Sequence, residues 1–257
     1  MNFEDIAVSV DGAIATITVS RPDKLNALRD QTADELVAAI ATLEQDDTVT
    51  VVILTGEGRA FGTGYDLSTV DLKDGCDLAA VLEDHFNPLI RTIRRSPLLF
   101  VSMVQGPCAG VSVGIALSCD IVVASSAAYF YEPFAQIALV PDGGNTFFYP
   151  NAAGRTRAMA AMLLGEKVGA KDAADWGLVW KVVEPDMLAE TVQATAGRIA
   201  RLSPMAIHRT KQLINQACEN GLEAQLDLER DYQGELGGSP DMIAAIDRFV
   251  SGGKKHH

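Results

Sequence analysis

Leu98-Leu-Phe-Val-Ser-Met-Val104, running into Gln105-Gly-Pro-Cys-Ala-Gly-Val-Ser-Val-Gly114, decides how this chain is read. An apolar run of strand length ends in glycines where a helix should begin. The same arrangement occurs earlier, in Val49-Thr-Val-Val-Ile-Leu-Thr55 and Phe61-Gly-Thr-Gly-Tyr-Asp-Leu67. A strand that feeds a glycine turn and then a helix leaves backbone N–H groups pointing outward without partners in the helix. Two such turns face to face would offer two donors to one oxygen, the arrangement of an oxyanion hole. A third glycine turn, Leu139-Val-Pro-Asp-Gly-Gly-Asn-Thr146, carries a carboxylate, Asp142. Two donors and one base are a minimal set for moving a proton beside a carbonyl group.

Outward from these turns the chain alternates strand and helix. Ile6–Val10 and Ala13–Val19 alternate around Asp11-Gly12 and predict a hairpin. Residues 31–44 place Ala33, Leu36, Val37, Ile40 and Leu43 at helical spacing. Val49–Leu54 is nearly all β-branched, which predicts a strand buried on both faces. A helix over 78–93, the strand 98–104, a helix, and strands at 121–124 and 128–130 continue the order. Such alternation implies a largely parallel sheet with crossover helices. Helices over 155–164 and 170–176 and a short strand at 179–183 follow. From about Met187 onward the pattern is helical, at 188–201, 203–217, 222–236 and 240–250, with Ser203-Pro204 and Ser239-Pro240 as helix starts. We therefore expect two parts. Residues 1–195 form an α/β core, and residues 196–257 form a helical region that packs on that core or on a neighbouring subunit.

The 257 residues carry a net charge of −13, which argues against a general nucleic-acid binder. No apolar run reaches the roughly 18 residues needed to span a bilayer. Met1-Asn-Phe-Glu-Asp5 lacks the basic start of a signal peptide, so a cytoplasmic protein is expected. Cys76, Cys108, Cys119 and Cys218 show no C-x-x-C spacing and read as scattered thiols. No metal-ligand spacing occurs, so no metal is expected.

The motifs Arg21-Pro-Asp-Lys-Leu-Asn-Ala-Leu28, Phe61–Leu67, Gly106–Asp120 and Val140-Pro-Asp-Gly-Gly-Asn-Thr146 together resemble the crotonase (enoyl-CoA hydratase/isomerase) superfamily. Gly165, the run Ala170–Val179, and Ser203-Pro204 with Lys211 extend the resemblance over nearly the whole chain. It implies a spiral of ββα units, a C-terminal helical trimerisation region, and a homotrimer or dimer of trimers. It implies an acyl-CoA thioester as substrate and no separate cofactor, coenzyme A entering as part of that thioester. It places the oxyanion donors at the backbone N–H groups of Tyr65 and Val111. Beside them it places Gly64, Gly110 and Phe134, and along the coenzyme A arm Lys24, Leu25, Ala27, Ala60 and Phe61.

Hydratases of the superfamily hold a water between two glutamates. Gly114 and Phe134 occupy those positions here, and neither takes a proton. Asp142 matches the place where the Δ3,Δ2-enoyl-CoA isomerases keep their single acid, and the surrounding sequence is similar to that subgroup. The resemblance thus implies a double-bond shift from 3-enoyl-CoA to 2-enoyl-CoA by one carboxylate working twice. Alternatives are a hydratase, an aryl-CoA dehalogenase-like enzyme and an acyl-CoA binder without turnover. Glu132 would serve a hydratase only after a change of register, because an extended 132–134 segment puts it on the side of Phe134. His85 would serve a dehalogenase, although among Glu83 and Asp84 it reads first as a solvated surface residue. Gly110-Val-Ser-Val-Gly114 also fits G-x-S-x-G, but an elbow needs its serine at the strand end, whereas Ser112 should lie inside the helix.

Overall fold

The computed structural model describes residues 3–69 and 77–253. Cys76, named above, lies outside the described residues. The chain divides into two compact units, Met1–Ile199 and Ala200–His257.

The first unit opens with β1 (Ile6–Asp11) and β2 (Ile14–Val19), paired antiparallel with Asp11 opposite Ile14. Gly12 in the turn adopts φ +57°, a conformation that a side chain disfavours. Helix α1 (Asp30–Leu43) buries Ala33, Leu36, Ile40 and Leu43 of the expected stripe, with Val37 only half-buried and Ala39 buried in addition. Strand β3 (Val51–Gly56) is buried at every residue. Then come α2 (Leu78–Val81), a π-helical turn (Leu82–Phe86) and α3 (Asn87–Arg95), which join without a break where one helix is expected. Strand β4 (Leu99–Val104), β5 (Pro107–Ala109), α4 (Val111–Ser118), β6 (Ile121–Ser125) and β7 (Tyr129–Tyr131) follow. The unit finishes with α5 (Asn145–Ala153), α6 (Arg155–Leu164), β8 (Val168–Gly169), α7 (Ala170–Asp175), β9 (Lys181–Val183) and α8 (Leu188–Ile199).

Six strands form one sheet in the order β1-β2-β3-β4-β6-β9, parallel throughout except for the hairpin. Strands β5, β7 and β8 form a second, smaller sheet. Strand β4 thus ends in the large sheet, and β5, two residues on, belongs to the small one. The glycine turn after β4 spans this change of sheet, and Gly62 of the other turn bridges to Cys108 on β5, at the kind of place where a parallel α/β fold leaves a crevice for ligands. Helix α4 is buried along nearly its whole length, including Val111, Ser112, Val113, Gly114 and Ile115. The division after Ile199 keeps α8 with the sheet, because its Leu188, Val192 and Ala196 are buried. A cut at 195 would have passed through that helix.

The second unit contains α9 (Pro204–Gln216), α10 (Leu222–Leu236) and α11 (Pro240–Gly253). Arg209 on α9 pairs with Glu235 at 2.6 Å and lies over the Tyr232 ring at 4.6 Å, both on α10. Ser203 donates to Asp241 at the start of α11 (2.7 Å).

Candidate active site

The two glycine turns are stacked backbone against backbone. The N–H groups of Phe61 and Gly62 donate to the Pro107 carbonyl at 3.0 and 3.2 Å, and the Ala109 N–H donates to Gly62 O at 2.9 Å. Gly64 has φ +91° and Gly110 φ +56°. A Cβ on Gly64 would stand 3.2 Å from Ala109 O, and one on Gly110 would stand 3.4 Å from Gly64 Cα. Only glycine permits both conformation and approach. Three further bonds fix the pair. Gly64 N–H donates to Ser112 Oγ (3.2 Å), Gly110 N–H to Tyr131 O (2.9 Å), and Asn145 Nδ2 to Gly110 O (3.0 Å). The amides of Tyr65 and Val111 follow directly on these glycines, and both residues line one pocket. Val111 opens α4, so its N–H has no acceptor within the helix and stands at the positive end of the helix dipole.

The third turn presses Asp142 onto the same pocket. A Cβ on Gly114 would stand 2.1 Å from Gly143 O, and Gly143 itself has φ +59° with Val111 Cγ2 2.8 Å from where its Cβ would be. The backbone of residues 142–144 therefore lies on the first turns of α4. Asp142 lines the pocket, and its Oδ1 is buried with no hydrogen-bond partner among the described residues. Burial pushes its carboxyl from an ordinary 3.8 to about 6.

The remaining wall is apolar: Leu67, Leu78, Val81, Leu82, Phe86, Phe134, Ile137 and Leu139, around a space of about 630 Å³ with its mouth included. The Tyr65 ring meets Phe86 edge-on, 5.7 Å between centroids, and its hydroxyl donates to Asp30 on α1 (3.0 Å). That side chain is wall, whereas the backbone N–H is the candidate donor.

Of the residues expected at the site, Asp142, Tyr65, Val111, Gly64, Gly110 and Phe134 all line the pocket. Lys24, Leu25, Ala27, Ala60 and Phe61 do not. Lys24 and Leu25 abut it, because Thr63 Oγ1 on the pocket wall donates to the Leu25 carbonyl (3.3 Å), and Leu28 N–H donates to Gly64 O (2.7 Å). Ala60 and Phe61 are buried, and the Ala60 carbonyl accepts from both Asn26 Nδ2 and Gln105 Nε2 at 2.7 Å. Asp66 pairs with Arg21 (2.9 Å) and Asp120 accepts the Phe100 N–H (2.8 Å), so both are structural.

Two alternatives lose their residues. Ser112 is in α4, 1% exposed, with its oxygen holding Gly64 N–H, so it is a brace rather than a nucleophile. His85 Nδ1 lies 2.8 Å from Asp34 on α1, which raises its pKa, and His85 is absent from the pocket wall. Glu132 does not share the side of Phe134. Strand β7 stops at Tyr131 and Phe134 is already helical (φ −61°, ψ −45°), so the two-residue alternation lapses between them. Sequence reasoning missed Asn145 and Ser112 as braces, and the contact of Gly143 with Gly114. The asparagine is visible as the last polar residue of the Pro-Asp-Gly-Gly-Asn run, but its partner is not.

With that geometry in place, the match to a known family is specific. Residues 9–257 fit the model of the enoyl-CoA hydratase/isomerase family, and the chain belongs to that family and has its crotonase fold. It is 37% identical over 252 residues to the 1,2-epoxyphenylacetyl-CoA isomerase of Escherichia coli K12, covering 97% of this chain and 96% of that one. It is 35% identical to a probable enoyl-CoA hydratase of Rhodobacter capsulatus, at 97% and 96% coverage. Among solved structures, an enoyl-CoA hydratase subunit from Geobacillus kaustophilus HTA426 superposes with a TM-score of 0.91 at 31% identity, over 97% and 96% of the two chains. The family is enzymatic and processes acyl-CoA thioesters.

Proposed function

We propose that this enzyme is an isomerase that converts a 3-enoyl-CoA into the conjugated 2-enoyl-CoA. The observation that carries the reading is one raised carboxyl, Asp142, on an apolar pocket whose wall also holds Tyr65 and Val111. The thioester carbonyl accepts from the Tyr65 and Val111 N–H groups. Asp142 as carboxylate takes a proton from C2, and the negative charge spreads over the thioester oxygen and C4. The same carboxylic acid returns the proton to C4. No water takes part, which suits a wall built almost wholly of hydrocarbon. A donor aimed at the developing oxyanion contributes about 10²–10³ in rate. A base near pH 6 is ionised at neutral pH yet far stronger than an ordinary aspartate.

Hydration is disfavoured because it requires a water held between two acids. One of those places is filled by the Gly143 carbonyl, which stands where a side chain at 114 would begin, and the other by the Phe134 ring. The loop of Lys24, Leu25 and Ala27, with Ala60 and Phe61 behind it, is the proposed seat of the coenzyme A arm. Exposed apolar residues of the helical unit, among them Leu222, Leu226, Ile243 and Phe249, support assembly as a homotrimer or dimer of trimers, and light scattering checks the mass.

The test is incubation with trans-3-hexenoyl-CoA and, separately, with crotonyl-CoA. Conjugation of the first without hydration of the second supports the isomerase. Hydration of crotonyl-CoA overturns it. Asp142→Asn should cut isomerisation by about 10²–10⁴-fold while hexanoyl-CoA still binds, and turnover retained by that variant removes Asp142 from the mechanism.

A further inference from the structure

A second buried carboxyl interacts electrostatically with Asp142, and the proton shuttle does not use it. Glu132 is 1% exposed, and neither of its oxygens has a hydrogen-bond partner among the described residues. Its chain neighbours bracket the site, since Tyr131 O accepts the Gly110 N–H and Pro133 lines the pocket. Three titratable groups interact with it electrostatically. They are Asp142 on the turn before α5, Tyr149 on α5, and Cys108 on β5. Tyr149 is fully buried, and its hydroxyl also has no partner among the described residues. No cation is among these neighbours. A carboxylate buried without a cation or a donor is among the most costly states a side chain can adopt, so the group keeps its proton. Of two acids in one dry site, the deeper holds the proton and the one nearer the mouth carries the charge.

We propose that Glu132 is a positioning residue of the proton-transfer site, a neutral buried carboxylic acid coupled to Asp142 that leaves Asp142 as the one anion of the pair. While Glu132 keeps its proton, the pocket holds one negative charge, at the atom that takes the C2 proton. When Glu132 loses its proton, a second charge enters the same dry site. That charge opposes both the ionised Asp142 and the enolate, and turnover falls. The kinetic part rests on the isomerase reading above, and the protonation part does not.

Infrared difference spectra of the purified enzyme against Glu132→Gln test the protonation part without substrate. At pH 8 ordinary carboxyls are ionised, and Asp142 is past its midpoint of about 6. A protonated carboxyl band present in the wild type and lost in Glu132→Gln is the expected result, and no such band overturns the proposal. In Asp142→Asn the midpoint of that band should move to lower pH, because the neighbouring charge is gone; an unmoved midpoint shows that the two groups do not act as a pair. Isomerase rates then give the kinetic part. The wild type should lose rate on the alkaline side, about tenfold per pH unit beyond the midpoint, and Glu132→Gln should lack that fall. An alkaline fall shared by both enzymes, or absent from the wild type, overturns the positioning role. Glu132→Met, of similar volume and without polar atoms, replaces Glu132→Gln in both arms if the amide does not fold.

Discussion

Asp142 owes its chemistry to where one turn puts it. Its carboxyl titrates near 6 because burial opposes the charge, so kcat/KM should rise with pH along an acid limb centred near 6 and level off above it until the alkaline fall assigned to Glu132 begins. A limb near 4, the ordinary aspartate range, would show that the carboxyl is solvated during turnover. The turn itself depends on Gly143, whose φ of +59° and closeness to Val111 admit no Cβ. Gly143→Ala should cost about 1–3 kcal/mol of stability through that conformation alone. It should also lower kcat more than it raises KM, because the strain lands beside the Val111 donor; steady-state kinetics and a thermal melt check the two effects. At this scale the sequence is informative about the acid and silent about its setting. The Pro-Asp-Gly-Gly run marks a turn with a carboxylate, but nothing local says that the next carbonyl rests on Gly114. That contact joins two separate stretches of chain, and only tertiary packing makes it.

Ser112 does its work from inside α4. Its hydroxyl holds the Gly64 N–H across the two glycine turns, and it is buried. Ser112→Ala would leave that N–H without its partner, a cost of about 1–3 kcal/mol. A shift of the Tyr65 donor by a fraction of an ångström should lower kcat by about 10–10²-fold, with acyl-CoA affinity nearly kept. An unchanged kcat would mean that the turns hold each other without the brace. Most elements are legible in the sequence, since β3 opens on four consecutive apolar residues and α1, α6 and α10 keep their helical spacing. Helix α5 is not, because Pro150 sits inside it and two glycines precede it, and both residues normally mark a break. The small sheet is only partly legible: the strand expected at 128–130 is β7, whereas β5 and β8 span two or three residues each, too short for any period to register. The π-helical turn in the pocket wall places Leu82 and Phe86 on one side, a spacing that an ordinary helix also gives.

Taken as a whole, the molecule has carboxyls that respond to acid in opposite senses. Burial raises Asp5, but hydrogen bonds from Arg29 and Thr32 and the charges of Arg29 and Arg21 outweigh it, so the group sits below its ordinary value. Asp66 is also held low, first by the Ser68 hydroxyl and then by Arg21. Stability from these two is present above their unfolded value of 3.8 and is lost as pH falls through their lower folded values. Asp142 behaves conversely. It binds its proton more readily folded than unfolded, so it favours the fold most below pH 4, and that contribution declines as pH rises through 6. The shift from 3.8 to about 6 penalises the folded state by up to about 3 kcal/mol at neutral pH. Asp142→Asn should therefore raise the melting temperature at pH 7.5 and leave it nearly unchanged at pH 4. An equal gain at both pH values would assign the effect to something other than ionisation. The overall architecture is readable from strand and helix alternation together with the motifs. What joins turn to turn is not, because β3, α4 and α5 meet only once the sheet has brought them together.

The carbonyl resting on Gly114 also bears on how such an active site can be redesigned. Grafting the paired acids of a water-adding enzyme, through Gly114→Glu and Phe134→Glu, asks a new side chain to grow through a peptide group. Its first carbon would stand 2.1 Å from the oxygen of Gly143. The double variant should either misfold or push the turn aside and carry Asp142 with it. On the proposed isomerase reading, the two chemistries are separated by a backbone rearrangement, and the route from one to the other runs through rebuilding the loop before exchanging residues.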